Sequence, residues 1–323
     1  MTDIADQSTF LTELNTRMTQ HAEQPDAPQQ DSAASAEAKA PAPAMRVMPA
    51  FSEDRMQRQL TYDKACIWGA FVLFLVVLVV ASVMESMAYS PGVTLSTFAM
   101  LAYGGAWFWF GARNARVWRS LREITAMLDA QPERAEHLIA EAFALRLLHR
   151  PLRALLYHRL AAVRHRQRRF EETAAIADAL LRLNPKGVAG VRSHLLLMLV
   201  DACLEFNQLT GAWYGLVELS RMPLRLVESL QCRALRVKYE LATGYWGQTL
   251  RDLPQTVEMA ELLPAPQCGA LHAMLAEAAA RGHRHAESVW LRKRAELLCH
   301  PDQLATLQRQ GLWIAPTPPA EPS

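Results

Sequence analysis

The chain has 323 residues, 51% of them hydrophobic and 20% charged, and a net charge of +2 from 34 Lys and Arg against 32 Asp and Glu. This balance excludes a polycation or polyanion as a whole, and the length allows two domains of roughly 100–200 residues or one domain with additions. The charge is unevenly placed: residues 1–64 carry net −4, residues 65–111 carry Glu85 alone, residues 112–170 carry net +8 and residues 171–323 carry net −1.

Residues 1–60 read as a disordered arm. Residues 22–44 contain no Ile, Leu, Val or Phe and are rich in Ala, Pro, Gln, Ser and Asp. Such a segment buries too little apolar surface to offset its ordering entropy. Ahead of it, Phe10, Leu11, Leu14 and Met18 share one helical face, and Ser8 or Thr9 is placed to cap it. A short amphipathic helix on a tether has the form of a docking peptide. The first 20 residues hold Asp3, Asp6 and Glu13 and no apolar run, so the expectation is a chain that starts in the cytosol without a secretory signal.

Two membrane spans are expected next, at 65–84 and 94–111. Ala65 to Met84 is an uncharged run of 20 residues, and about 20 apolar residues cross a hydrocarbon core of about 30 Å. Ser86 to Ala112 is also uncharged and ends in Trp107, Phe108, Trp109 and Phe110, rings suited to the headgroup level. Gly104 and Gly105 are candidates for close approach of the first span. The loop between the spans has no Lys or Arg. Arg55, Arg58 and Lys64 precede them, and Arg113, Arg116, Arg119 and Arg122 follow. The positive-inside rule places both termini in the cytoplasm. Neither span carries an ionisable residue at its centre, which argues against transport by this hairpin alone.

Residues 112–150 are expected to form a linking helix and cap, residues 151–311 a helical array and residues 312–323 a Pro-rich tail. From Arg113 to Gly311 good helix formers dominate and no alternating strand pattern occurs. Breaks fall at Pro132, Pro151, Pro185, Pro223, Pro264 and Pro301, with several about 30–40 residues apart, as repeating helix pairs require. The five cysteines have no C-x-x-C spacing and read as reduced thiols.

The clearest unit, Ala154 to Pro185, reads ALLYHRLAAVRHRQRRFEETAAIADALLRLNP. Its bulky residue, acidic pair, small residue and closing Leu-x-Leu-Asn-Pro resemble a tetratricopeptide repeat (TPR). Arg164 stands where that family has an aromatic residue, and the family's turn glycine is missing. Weaker copies follow at Val191–Pro223, Leu226–Pro264 and Ala270–Pro301, with Pro254 interrupting the third unit's second half. The fold class expected is all-α: a two-helix transmembrane hairpin with a TPR-like α-solenoid. The order of two spans and then repeats is similar to that of bacterial HemY-type proteins linked to haem biosynthesis, and the resemblance implies a bacterial inner membrane.

TPR arrays bind peptides or partner helices in a groove lined by the first helix of each pair. The resemblance puts His158, Arg159, His165 and Arg166 on the groove side of the first unit, with Arg233 at a comparable place in the third. A basic groove favours a protein partner with an acidic peptide, the acidic arm among the candidates. Arg146, Arg150, Arg153, Arg159, Arg164, Arg166, Arg168 and Arg169 equally suit anionic lipid at the cytoplasmic leaflet. No nucleic-acid reader motif occurs. No phosphate-loop, dinucleotide, nucleophile-elbow or H-E-x-x-H motif occurs, so no enzyme activity and no cofactor is assigned. His283, His285, Cys299 and His300 are metal-type donors, but nothing in their spacing sets a tetrahedron. The function expected is a membrane-anchored adaptor or scaffold. The alternatives are an accessory of a membrane-associated biosynthetic pathway or of a transport or secretion complex.

Overall fold

The computed structural model describes residues 51–86, 91–145, 149–183 and 186–313, the side chains of 84–86 and 91–96 excepted. The docking helix expected over Phe10, Leu11, Leu14 and Met18 lies outside these residues, as do Arg146 and Pro185. The described residues are helical, with no strand among them.

Helix α1 spans Glu53–Ser86 and α2 spans Pro91–Met127. The expected arm therefore ends before residue 60: Glu53 and Asp54 open α1, where carboxylates favour the helix dipole, and Met56 and Leu60 are buried. Among the described residues, α1 is the helix long and apolar enough to cross a membrane. Its most apolar stretch has mean hydropathy 2.8 and is 6% buried. α2 carries Phe98, Met100, Leu101, Trp107, Phe108 and Trp109 exposed along its first half. Phe74 of α1 stacks on Tyr103 of α2 at 3.9 Å between ring centroids. Gly104 and Gly105 take no part in the contact, because a Cβ added at either meets nothing within 4 Å. The aromatic stack sets the helix approach instead.

The remaining helices form pairs. They are α3 (Pro132–Ala144), α4 (Arg150–Arg166), α5 (Phe170–Leu183), α6 (Arg192–Glu205), α7 (Leu209–Ser220), α8 (Leu226–Thr243), α9 (Gly247–Arg251), α10 (Leu253–Ala260), α11 (Ala265–Arg281), α12 (His285–Leu298) and α13 (Pro301–Arg309). Prolines stand in the first turn of α3, α4, α10, α11 and α13, where the missing N–H costs nothing. Pro254 opens α10, so the second half of the third pair is split into α9 and α10. α4, α6, α8 and α11 each contact the next in that order, and each packs against the helix or helices that follow it.

Small residues let partners within a pair approach. Gly215 of α7 is such a position: an added Cβ would lie 2.4 Å from Val200 Cγ2 of α6. In the last pair a buried hydroxyl bridges the helices, Ser288 Oγ donating to the Ala276 carbonyl at 2.9 Å; in the first, Thr173 Oγ1 donates to the Arg169 carbonyl at 3.0 Å and lies 3.5 Å from the Ala161 carbonyl of the facing helix. The turns repeat as well. Arg168, Asn207, Gly244 and His283 each hold a positive φ of 59°, 60°, 78° and 59°, at the same point between the helices of successive pairs. One turn geometry serves all four, and a single one of them carries the residue best suited to it.

The array grips the start of α1. Arg153 of α4 pairs through Nε with Asp63 Oδ2, and its Nη2 lies 3.3 Å from Asp63 Oδ1, with both residues buried. Gln59 accepts from Arg153 Nη1 and, at 2.8 Å, from the Tyr157 hydroxyl. At the other end of α4, Arg164 is fully buried and bidentate to Glu136 of α3 at 2.9 and 3.0 Å, with Glu172 at 3.1 Å. The arginine standing at the expected aromatic position thus fills the gap with a satisfied ion pair.

Arg168→Gly is expected to stabilise the fold by up to about 1 kcal/mol by removing Cβ strain at the turn, and Gly244→Ala to cost about 1 kcal/mol; thermal unfolding of the two variants measures opposite shifts in Tm. Asp63→Ala strands a buried guanidinium and is expected to cost about 3–5 kcal/mol. The double variant Asp63→Leu/Arg153→Met should recover most of that loss in the same measurement.

Candidate functional site: a groove on the first helices

The first helices α4, α6, α8 and α11 wall a groove of about 720 Å³, closed at one side by α13. The arrangement follows from the pairing: second helices pack outside, so the inner face is left to residues about 36 apart in sequence. The floor is apolar, with Ala162, Leu197, Met198, Leu235, Ala270 and Met274 among its residues. Across it runs a polar ladder. His165 Nε2 lies 2.9 Å from Asp201 Oδ2, and Lys238 Nζ donates to Asp201 Oδ1 at 2.8 Å and to Glu205 Oε1 at 2.5 Å. Gln310, just past α13, donates to Glu205 Oε2 at 2.7 Å. The ladder joins α4, α6, α8 and the C-terminal segment.

Burial acts to raise the pKa of Asp201, but the hydrogen bond from His165 and the charges of Lys238 and His165 outweigh it and hold the carboxyl well below its ordinary range. Burial acts oppositely on Lys238, and the Asp201 and Glu205 carboxylates overcome it, raising its pKa. Asp201 and Lys238 are thus both ionised at neutral pH, and the groove's centre carries both signs.

The four residues expected on the groove side separate. His165 and Arg166 line it, and Arg166 reaches Asp129 at 2.7 Å. His158 does not: its side chain is 3% exposed, and its Nε2 is 2.8 Å from Nδ1 of His194, which lies 36 residues on. Arg159 is half-buried and outside the lining. Arg233 binds Thr256 and Asp252, tying α8 to α10 rather than facing a ligand. The basic excess over 146–169 is largely engaged. Arg153, Arg164, Arg166 and Arg169 have carboxylate partners, and Arg150 donates to the Leu183 carbonyl. Asp201, Glu205 and Lys238 carry no motif; their only signal in the sequence is the 36- and 37-residue interval from His165 to Asp201 to Lys238.

The expected absence of a metal tetrahedron over His283, His285, Cys299 and His300 concerns scattered groups. The His283 and His285 rings are 6.4 Å apart at a turn, His300 is exposed and Cys299 is buried. The five cysteines are free thiols. Among the described residues, the metal-type donors close enough to share an ion are Glu261, Cys268 and His272, away from the groove floor.

No family model matches this chain, and comparison with curated proteins and with solved structures gives no significant match.

Burial, followed by the neighbouring His194 and Arg159, lowers the pKa of His158 to about 3. A histidine whose pKa falls on folding takes up its proton more readily in the unfolded chain, so it costs stability as pH drops below the unfolded value of about 6.5. Between pH 7 and 5 this group is expected to remove about 2 kcal/mol. His158→Gln should flatten that acid slope, as read from Tm against pH for the two proteins.

Proposed function

We propose that this protein is a membrane-anchored, non-enzymatic adaptor whose TPR-like array holds a partner protein at the cytoplasmic face of a bacterial inner membrane. The observation that carries this reading is the groove itself. It is a concave wall built from the first helices of successive pairs, with an apolar floor, a fixed charged ladder and a volume of about 720 Å³. Such a surface suits the apolar face of a helix or an extended segment, with charged residues setting register and orientation. The four-fold recurrence of the turn at Arg168, Asn207, Gly244 and His283 supports the repeat assignment.

The membrane reading is a two-helix hairpin with both termini in the cytoplasm. It is supported by the uncharged stretch from Ser86 to Ala112, the exposed aromatic side of α2 and the Phe74–Tyr103 stack. Trp109 ends that side with the Arg113 guanidinium 4.4 Å above its ring, a cation drawn toward water from an aromatic belt. A single span would leave the exposed apolar face of α2 in water at a cost of about 25 cal/mol per Å². The partner read from the groove is amphipathic: acidic toward Arg166 and Arg168, apolar along Leu197, Met198 and Leu235, and able to meet both signs at the ladder.

A photocrosslinking residue placed at Gln231 in full-length protein, in native membranes, is expected to capture one protein in a saturable way. Ala270→Arg, which fills the groove floor without touching the ladder, should abolish that capture while leaving Tm within a few degrees. Capture unchanged by Ala270→Arg sinks the groove as the partner site. Cysteine labelling at a residue introduced between Glu85 and Gly92 tests the topology: reagent access from the outer side alone agrees with the hairpin.

A further inference from the structure

We propose that the junction of α10 and α11 carries a divalent-cation site of the zinc class, made by Glu261, Cys268 and His272. Cys268 and His272 are four residues apart on α11, so their side chains project from one face a turn apart. Glu261 ends α10 and faces them. One ring nitrogen, the thiol sulfur and one carboxylate oxygen all lie within 4.8 Å of one another. Tetrahedral zinc with bonds of about 2.0–2.3 Å sets neighbouring ligand atoms about 3.3–3.6 Å apart. His272 Nε2 and Glu261 Oε1 already stand at 3.6 Å.

The imidazole supplies the second observation. His272 is fully buried. Its Nδ1 is 2.9 Å from the Cys268 carbonyl oxygen and 3.3 Å from Cys268 Sγ; the carbonyl can only accept, and this shorter contact assigns the proton to Nδ1. The lone pair is therefore on Nε2, and Nε2 is a buried atom with no hydrogen-bond partner. A buried acceptor left unmatched costs about 1–3 kcal/mol. A histidine whose remote nitrogen donates to a backbone carbonyl while the other awaits a partner is the usual posture of a metal ligand. The carboxylate is similarly set up: Arg294 holds Oε2 through Nη2 at 2.6 Å, and metal binding would take Oε1 from Arg294 Nε, now at 3.1 Å. Thiolate, imidazole and carboxylate together favour zinc over magnesium or calcium. Cys268 gives up its proton to solvent when the sulfur binds, and a fourth position is left for water. Cys299 packs over Gly269 rather than in the trio.

The test uses full-length untagged protein in detergent, treated with chelator and desalted. Titration with Zn²⁺ should show one saturable equivalent and a raised Tm, and Co²⁺ should give a thiolate-to-metal charge-transfer band. Cys268→Ser should remove that band, and Glu261→Gln, at an exposed position, should weaken Zn²⁺ binding about tenfold or more with the helical circular-dichroism signal unchanged. His283→Ala/His285→Ala, at the exposed histidine pair of the same repeat, should leave the titration as it was. Absence of saturable binding overturns the proposal. So does binding that survives Cys268→Ser and Glu261→Gln, or that disappears with His283 and His285, which is adventitious surface chelation.

Discussion

A carboxylate and a guanidinium 90 residues apart, both taken out of water, join the apolar helix to the array. Asp63 sits on α1 two residues before the uncharged run begins, and Arg153 sits on the first helix of the first pair. Removing two charges from water is expensive, and the pair stands because both oxygens and both edges of the guanidinium find partners, with Gln59 and Tyr157 completing the set. The consequence is geometric. α1 is one unbroken helix, apolar in its C-terminal part and gripped by α4 in its N-terminal part. The array has no slack linker between itself and the apolar segment, so the orientation of its groove is fixed by side-chain packing.

Stacking then follows from a short list of repeated devices. Each pair closes on small residues, each turn uses a left-handed residue, and successive first helices are tied by polar contacts between residues about 36 apart. The His158–His194 pair and the His165–Asp201–Lys238 ladder are the same register seen at two depths. In the inner one His158 is buried and uncharged, because burial and the neighbouring His194 and Arg159 disfavour a proton there. In the outer one Asp201 and Lys238 are ionised, because each charge faces its opposite. This division lets the array hold charge at its surface without holding an unmatched charge in its core.

Features visible in the sequence were those with local causes. The uncharged run over 65–84, the prolines at helix starts and the helix-forming composition of residues 113–311 each act within a few residues, and the all-helical structure agrees with them. What could not be read was long-range pairing. Arg164 looks like a missing aromatic until Glu136, 28 residues earlier, is placed against it. The basic excess after α2 looks like a patch, yet much of it is spent on Asp63, Glu136, Asp129 and Glu172. His158 has the spacing of a groove residue, and only the arrival of α6 buries it. Gly104 and Gly105 look like a contact surface, but helix rotation, set by the Phe74–Tyr103 stack, turns them away.

The groove is also shaped by a part of the chain that the helix pairs do not include. α13 packs on α11, and Gln310 reaches across to Glu205 of α6. Arg281 of α11 donates to the Gly311 carbonyl, and Leu312 and Trp313 are buried behind it. The C-terminal segment therefore bridges the last pair to the second, and the groove's width depends on where α11 stands. α11 supplies Gln267, Ala270 and Met274 to the groove wall, and from the same helix Cys268 and His272 face α10. Helices transmit small displacements as rigid bodies because close-packed cores resist continuous deformation. Whatever holds α10 against α11 at Glu261 thus also sets the far wall of the groove, and the two features of the last helix pair are mechanically one.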